Sequence, residues 1–144
     1  MKLSLFSDYS LRVLMYAALK DGPFLLDEVS GAYGISRHHL AKVVNRLAQS
    51  GYLSTQRGRG GGIRLALAPG EITLGKLLRG TEDQSAFVEC FDPATNTCPV
   101  AGSCRLKGLL AEAVNDFYRS MDRHTLQDLV AGPQRGAMSQ VLLR

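Results

Sequence analysis

Residues 36–67 read SRHHLAKVVNRLAQSGYLSTQRGRGGGIRLAL, and the hydrophobic period of this stretch changes halfway along it. In the first part, Ser36 is a predicted N-cap and apolar residues recur at helical spacing until Gly51. These apolar residues are Leu40, Val43, Val44 and Leu47. In the second part, apolar and polar residues alternate, which predicts strands over 52–57 and 63–67. The glycine run between them predicts a tight hairpin, so one helix is followed by a two-stranded ribbon.

Two further helices are predicted upstream of this stretch. Ser7 is the predicted N-cap of the first helix, which ends at Gly22-Pro23. A shorter helix is predicted over 27–33, and a tight turn separates it from the helix of the opening stretch. Helix, short helix, turn, helix and hairpin, in this order, predict a winged helix-turn-helix domain over residues 1–80. The expected fold class is therefore mainly α, with a small β-hairpin wing.

The rest of the chain is predicted to be helical on either side of a polar loop. Thr73 is the predicted N-cap of a short helix that completes the first domain. Residues 81–104 form the loop, and residues 105–131 form a long helix and a short helical piece. Residues 132–144 are predicted to be a frayed or loosely packed tail. The apolar stripe of the long helix contains Leu106, Leu109, Leu110, Ala113, Val114 and Phe117.

The composition is that of a small globular chain whose two halves differ in charge. The chain has 144 residues, of which 45% are hydrophobic and 21% are charged, and its net charge is +4. Residues 1–80 contain eleven basic and five acidic residues, whereas residues 81–144 contain six and eight. The first half, at +6, is therefore expected to meet a polyanion, while the second half, at −2, is not. A solvated basic surface is the alternative explanation.

The sequence gives no sign of a membrane segment or a signal peptide. The longest apolar run, over 13–19, is far shorter than the roughly 20 residues that a membrane span requires. Charged residues also interrupt the sequence that would form a signal peptide after Lys2. We therefore expect a cytoplasmic protein with no membrane partner, whose thiols are kept reduced.

The predicted third helix has a polar face suited to DNA. This face contains Ser36, Arg37, His38, His39, Lys42 and Arg46. A helix in the major groove reads bases with its N-terminal residues, which favours Arg37, His38 and His39 for base contacts. Lys42 and Arg46 are better placed for phosphates. Because adjacent helical residues diverge by about 100°, the two histidines are not expected to chelate a metal together.

The glycine-rich tip is predicted to be a wing that approaches DNA. The run fits neither G-x-G-x-x-G nor G-x-x-x-x-G-K-[ST], and a strand follows it instead of a helix. Glycines such as Gly60 let the backbone approach DNA closely, and Arg59 at the tip suits a narrow minor groove. Arg57 and Arg64 would flank it on phosphates. An ordinary glycine-rich hairpin is the alternative.

Three cysteines, Cys90, Cys98 and Cys104, lie close together on the polar loop. Structural zinc sites usually contain a C-x2–4-C pair, which is absent from this sequence. A nucleophilic cysteine needs a partnered histidine, and all three histidines are distant in sequence, so nothing predicts an enzyme. Clustered thiolates in a reduced compartment suit an iron–sulfur cluster, which usually has four protein ligands. Three unrelated buried cysteines are the alternative.

Several stretches together resemble the Rrf-type (IscR/NsrR/RirA) class of winged-helix iron–sulfur transcriptional regulators. They are LFSDYSLR at 5–12, YGIS at 33–36, RGRGGG at 57–62, and the cysteine loop with Cys104-Arg105-Leu106. The resemblance covers about residues 2–130. It implies a homodimer with the long helix at its interface, a cluster near that interface, and DNA binding that the cluster controls.

Asp8 carries a closer resemblance to the NsrR-like nitric oxide sensors of this class. In those proteins an aspartate at this position supplies an oxygen ligand from the opposite subunit. In IscR-like proteins the fourth ligand is a histidine three residues after the third cysteine, where this chain has Lys107. The resemblance implies a [4Fe–4S] cluster held by Cys90, Cys98 and Cys104 of one subunit and Asp8 of the other. By helix chemistry alone, Asp8 would only complement the helix dipole.

The expected function is that of a homodimeric repressor that binds a double-stranded DNA operator and responds to nitric oxide through the cluster. An iron- or cluster-supply-responsive regulator of RirA- or IscR-like type is an open alternative, as is a [2Fe–2S] cluster. A zinc-stabilised regulator is a further alternative. The basic first half disfavours an adaptor that does not bind DNA.

Overall fold

The computed structural model describes residues 2–144, which form a mainly helical chain with a two-stranded hairpin, as predicted. The helices are α1 (Leu5–Lys20), α2 (Leu26–Tyr33), α3 (Arg37–Gln49), α4 (Leu74–Thr81), α5 (Arg105–Asp122), α6 (Leu126–Val130) and α7 (Gln134–Leu142). The strands are β1 (Leu53–Gln56) and β2 (Gly62–Leu65). Short 3-10 helices occur at Pro69–Glu71, Gln84–Ala86 and Glu89–Phe91. Within residues 2–144, no helix has both the length and the apolar character needed to cross a membrane.

Helix α1 lies at the centre of the hydrophobic core. Val13 and Leu14 are fully buried, and the helix contacts α3, α4, α6, α7 and β2. Its N-cap is Ser4, whose hydroxyl accepts a hydrogen bond from the Ser7 backbone N–H at 3.1 Å. The prediction that Ser7 caps this helix is wrong, because Ser7 lies within the first turn and is fully buried. The Glu82 carboxylate accepts hydrogen bonds from the Ser4 hydroxyl and backbone N–H, and these contacts fix the start of α1 at this earlier position.

Helices α2 and α3 form the predicted helix-turn-helix. The left-handed conformation of Gly34 (φ 64°) ends α2 and lets the chain turn into α3. Ser36 caps α3, as predicted, because its hydroxyl accepts a hydrogen bond from the His39 N–H at 3.3 Å. The predicted inner face of α3 is buried at all four positions, namely Leu40, Val43, Val44 and Leu47. The opposite face is left exposed to solvent.

The wing is slightly shorter than predicted and gains a third backbone segment. Strands β1 and β2 pair antiparallel, with Leu53 opposite Leu65. Phe24, between α1 and α2, forms an isolated bridge to Ile63 through two backbone hydrogen bonds of 2.8 and 2.9 Å. The fully buried Phe24 side chain therefore ties the wing to the start of the helix-turn-helix.

Helices α4 and α5 meet at a close crossing. The Arg79 guanidinium donates two hydrogen bonds to the Asp122 carboxylate, at 2.6 and 2.7 Å, and lies 4.9 Å from the centre of the Tyr118 ring. These hydrogen bonds from Arg79 lower the pKa of Asp122. Gly75 makes the crossing possible, because a Cβ there would lie 2.8 Å from the Asp122 backbone nitrogen.

The chain after α5 returns to the core. Leu126 and Val130 of α6 are at most 1% exposed and belong to the same core as α1. The tail over 132–144, predicted to be frayed or loosely packed, is not frayed, since α7 occupies most of it, and no residue of α7 is fully buried. Met138 and Leu142 of α7 pack against the core, and the helix contacts both α1 and α2. This apolar contact stabilises a segment in which Gly132, Pro133 and Gly136 had disfavoured a helix.

Replacing Gly75 with alanine is expected to lower the free energy of unfolding by about 1–3 kcal/mol, because the added methyl group forces α4 and α5 apart. Chemical denaturation of the purified protein measures this change. Gly80→Ala is the matched control, since Gly80 lies in the same helix with open space around its Cβ position. That variant is expected to gain up to about 1 kcal/mol from helix propensity. Equal stabilities for the two variants would contradict the close crossing.

Candidate functional site

The polar face of α3 is continuous and exposed. All six predicted residues on it are exposed: Ser36, Arg37, His38, His39, Lys42 and Arg46. Arg37, His38 and His39 form the first turn of the helix, at its positive end. The structure therefore presents these side chains together, and their contact with DNA remains a prediction.

Two contacts connect this first turn to neighbouring helices. The Arg37 guanidinium pairs with Asp27 of α2 at 3.0 Å, but both side chains are about two-thirds exposed. Such exposed pairs contribute little free energy, so Arg37 is free to exchange its partner for a phosphate or a base. The rings of His39 and Tyr9 lie with their centroids 6.3 Å apart, which connects α3 to the start of α1.

The wing exposes the four residues predicted from its sequence: Arg57, Arg59, Gly60 and Arg64. Gly60 has a positive φ of 74°, a conformation that side-chain-bearing residues rarely adopt. At Gly61, a Cβ would overlap the carbonyl oxygen of Gln56 and lie 2.9 Å from that of Gly58. The glycines are therefore needed for the shape of the turn, which presents Arg59 at its tip.

The three cysteines lie between α4 and α5, on residues 82–104, which we call the cysteine segment. Cys90 is in the 3-10 helix Glu89–Phe91, and Cys104 is the N-cap residue of α5. Cys98 is the first residue of two consecutive turns. All three are free thiols of intermediate burial.

Hydrogen bonds within the segment fix the loop between Cys90 and Cys98. The Glu89 carboxylate accepts hydrogen bonds from the Thr97 backbone N–H and hydroxyl, both at 2.6 Å. These hydrogen bonds lower the pKa of Glu89. The Asn96 side-chain oxygen accepts the Cys98 N–H at 3.0 Å. The loop is therefore closed at its base although much of it is exposed.

The donor types fit an iron–sulfur cluster, but one chain does not assemble a complete site. Thiolates are the usual protein ligands of such clusters, and three are present on one segment. Within the described residues 2–144, no group of three or more His, Cys, Asp and Glu side chains is placed to hold a metal ion.

Asp8 is half-buried on the first turn of α1 and is paired with Arg12 of the same helix. Their closest oxygen–nitrogen distance is 2.9 Å, and a second hydrogen bond measures 3.2 Å. The Arg12 guanidinium also lies 5.6 Å from the centre of the Tyr33 ring, at the end of α2. Burial raises the pKa of Tyr33, whose buried hydroxyl has no hydrogen-bond partner in the described part of the chain. Through its ion pair with Arg12, Asp8 is therefore connected to Tyr33 and so to α2, the first helix of the helix-turn-helix.

A polar clasp joins the start of α1 to the end of α4, and we define it as Ser4, Ser7, Thr81 and Glu82. The Glu82 carboxylate accepts hydrogen bonds from the Ser4 backbone N–H and hydroxyl, at 2.8 and 2.9 Å. The fully buried Ser7 hydroxyl donates to that of Thr81 at 2.7 Å. Because Glu82 is the first residue of the cysteine segment, the polar clasp fixes Asp8 relative to the root of that segment.

Helix α5 leaves its apolar stripe largely uncovered. Leu106 is 61% exposed and Leu109 is 50% exposed, and among the residues of α5 only Tyr118 is buried. Beside the stripe, a groove of about 770 Å³ lies between the N-terminal residues, the chain after α4, and α5. The long helix predicted to form the dimer interface is thus available to a partner.

A winged helix-turn-helix with an adjoining cysteine segment defines a class of transcriptional regulator. A family model described as Rrf2, iron-dependent transcriptional regulator, matches residues 3–132, and this chain belongs to that family. The HTH-type transcriptional regulator NsrR of Bacillus subtilis is 46% identical over 132 residues, covering 90% of each chain. NsrR of Shouchella clausii is 44% identical, covering 90% of this chain and 89% of that protein. The relatives are transcriptional regulators and the chain is not an enzyme.

Solved structures share the fold. CymR, the global cysteine regulator of B. subtilis, is 27% identical, with a TM-score of 0.66 over 90% of this chain and 95% of that one. IscR of T. potens has a TM-score of 0.72 over 90% of this chain and 86% of its own. At 22% identity, the likeness to IscR concerns the fold alone.

Sequence reasoning missed the polar contacts around α1 and in the cysteine segment. Ser4, Ser7 and Ser10 recur every third residue at the start of α1, and this spacing is a signal for a polar stripe along one side of the helix. No comparable local signal indicates the Tyr9–His39 contact, because it joins residues far apart in sequence.

Arg59→Ala is expected to weaken operator binding roughly tenfold, because the variant loses one guanidinium contact with DNA. Fluorescence anisotropy at several salt concentrations measures the affinity and its salt dependence, whose slope should decrease by about one. Arg123→Ala is the charge-matched control, since Arg123 lies at the end of α5, outside α3 and the wing. Identical losses in both variants would exclude a specific role for the wing.

Proposed function

We propose that this protein is a cytoplasmic, homodimeric repressor whose affinity for a DNA operator is controlled by a nitric oxide-sensitive [4Fe–4S] cluster. The observation that carries the proposal is the combination of two features in one chain. One is a basic surface formed by α3 and the wing, and the other is a segment with three free, half-buried thiols. The 46% identity to the HTH-type transcriptional regulator NsrR over 90% of the chain supports a DNA-binding regulator.

Cys90, Cys98 and Cys104 would hold the cluster, together with Asp8 of the partner subunit. When bound, the cluster supplies iron atoms with which nitric oxide reacts. A carboxylate is a harder and weaker partner for such iron than a thiolate, so the ligand supplied by Asp8 would be the one most easily displaced. The resemblance of the Asp8 region to NsrR-like sensors supports nitric oxide as the signal.

Ligation by Asp8 competes with its ion pair to Arg12. In the structure, two nitrogens of Arg12 contact the two carboxylate oxygens of Asp8. A carboxylate oxygen engaged in the partner's site is less available to Arg12, so Asp8 would give up one or both of these contacts. Release of Asp8 restores the pair. When Asp8 is paired with Arg12, its negative charge offsets that of the guanidinium beside the end of α2. When Asp8 is a ligand, this offset would be reduced.

The change at Asp8 has a short route to the DNA surface. Arg12 lies against Tyr33 at the end of α2, and Tyr9, adjacent to Asp8, lies against His39 in the first turn of α3. A displacement of α1 at this point therefore acts on both helices of the helix-turn-helix. A symmetric operator tolerates little change in the spacing of the two α3 helices, which would be the recognition helices of the dimer. A coupling of 1–3 kcal/mol changes affinity roughly 5–150-fold.

The exposed stripe of α5 supports dimer formation by this chain. Leu106 and Leu109 are at least half exposed, which is unusual for leucines aligned on one face of a helix. Pairing of two such stripes would bury them and bring the N-terminus of α1 near the partner's cysteine segment. The dimer would thereby complete the set of cluster ligands.

Asp8→Ala is expected to shorten the lifetime of the cluster roughly tenfold, because one of its four ligands is lost. After anaerobic reconstitution, the broad visible absorption is followed in the presence of an iron chelator. Arg12→Ala is the matched control, since it removes the same ion pair but keeps the Asp8 carboxylate, and its cluster should decay no faster than that of the wild type.

Two results would contradict this proposal. Equal rates of decay for Asp8→Ala and the wild type would exclude Asp8 as a ligand. A colourless wild-type protein containing stoichiometric zinc would exclude the cluster itself and favour a zinc-stabilised regulator.

A further inference from the structure

The cysteine segment contains a carboxylate, that of Glu89, that has no role in the proposed DNA binding or in the proposed set of cluster ligands. Glu89 immediately precedes Cys90, and its partner Thr97 immediately precedes Cys98. The Glu89 carboxylate accepts hydrogen bonds from both donors of Thr97, the backbone N–H and the hydroxyl, at 2.6 Å each. One exposed side chain therefore ties together the two positions next to the first two thiols.

This contact closes a loop that would otherwise be open. Fully extended, the eight steps along the chain from Cys90 to Cys98 would span roughly 26–29 Å. Bringing the ends of a flexible loop together costs conformational entropy, which any ligand that needs both ends must overcome. A loop already closed at its base lowers this cost for a group that binds both thiols.

Further hydrogen bonds order the interior of the same loop. The Asp92 carboxylate accepts hydrogen bonds from the Ala94 N–H at 3.0 Å and from the Thr95 hydroxyl at 2.9 Å. The Asn96 side chain accepts the Cys98 N–H at 3.0 Å. These contacts shape the tip and the approach to Cys98, but only the contact of Glu89 with Thr97 spans the base.

We propose that Glu89 is a positioning residue for cluster binding: it holds Cys90 and Cys98 at neighbouring points of the segment before a cluster binds. The inference rests on the proposed cluster function. It differs from ligation by Glu89 in one respect that can be tested. Positioning requires a hydrogen-bond acceptor at this position, whereas ligation of iron requires the negative carboxylate.

Two substitutions separate these roles. Glu89→Gln keeps a carbonyl oxygen whose two lone pairs can accept both hydrogen bonds from Thr97, but it removes the charge. Glu89→Ala removes the acceptor altogether. Glu71→Ala is the matched control, because the Glu71 carboxylate accepts the Ala68 N–H at 2.9 Å in an exposed turn outside the cysteine segment.

Two measurements are made on each full-length variant. Hydrogen–deuterium exchange of protein prepared without iron reports closure of the loop through the Thr97 amide. Loss of visible absorption in the presence of a chelator, under anaerobic conditions, reports retention of the cluster. Thermal unfolding shows whether the variants fold like the wild type.

Glu89→Ala is expected to exchange the Thr97 amide faster and to lose the cluster roughly 5–30-fold faster than the wild type. Glu89→Gln and Glu71→Ala should resemble the wild type in both measurements. If Glu89→Ala also resembles the wild type, the inference is overturned. It is equally overturned if Glu89→Gln loses the cluster as fast as Glu89→Ala while its Thr97 amide stays protected, since that result identifies a ligand.

Failure of the proposed function gives a different result. Wild-type protein that takes up no cluster would contradict the proposed function and the inference together. Wild-type protein that retains its cluster, with an unaffected Glu89→Ala variant, would contradict the inference alone.

Discussion

The position of helix α1 is the constraint on which the rest of the structure depends. Its apolar face is fully buried among α3, α6 and β2, so its body cannot move without disturbing the core. Its first turn differs from the body because polar contacts hold it there. Ser7 is hydrogen-bonded to Thr81, and the neighbouring Asp8 is paired with Arg12. The first turn is therefore the part of α1 whose contacts a change in charge can alter at modest cost.

The two halves of the chain are ordered by different forces. Packed leucines, valines and aromatic residues hold the helix-turn-helix, and the wing is tied to it through Phe24. The cysteine segment has intermediate burial at its thiols and is shaped mainly by hydrogen bonds such as that between Glu89 and Thr97. A segment ordered in this way can rearrange at a lower cost in free energy than the packed helix-turn-helix. Helix α4 and the polar clasp join the two.

Sequence patterns predict the helices, strands and caps that depend on local periodicity. They do not predict features that depend on contacts between residues far apart in sequence. The stripe of α3, its Ser36 cap and the glycine hairpin follow from local chemistry, and the structure has all three. Local sequence predicts too late a start for α1, because Ser4 and Ser7 are equally good caps locally. Only the hydrogen bond from Ser4 to the distant Glu82 favours Ser4. Helix α7 is not predicted from the sequence because glycines in this segment have low helix propensity. Its stability comes from contacts with α1 and α2.

The central claim is that the state of the cysteine segment is transmitted through the start of α1 to the recognition helix. The most direct test is an anaerobic titration of the reconstituted protein with nitric oxide, recording cluster absorption and operator binding in the same sample. The account predicts that operator release follows the loss of absorption and reaches at least fivefold weaker binding. Unchanged operator affinity after complete loss of the cluster absorption would contradict it.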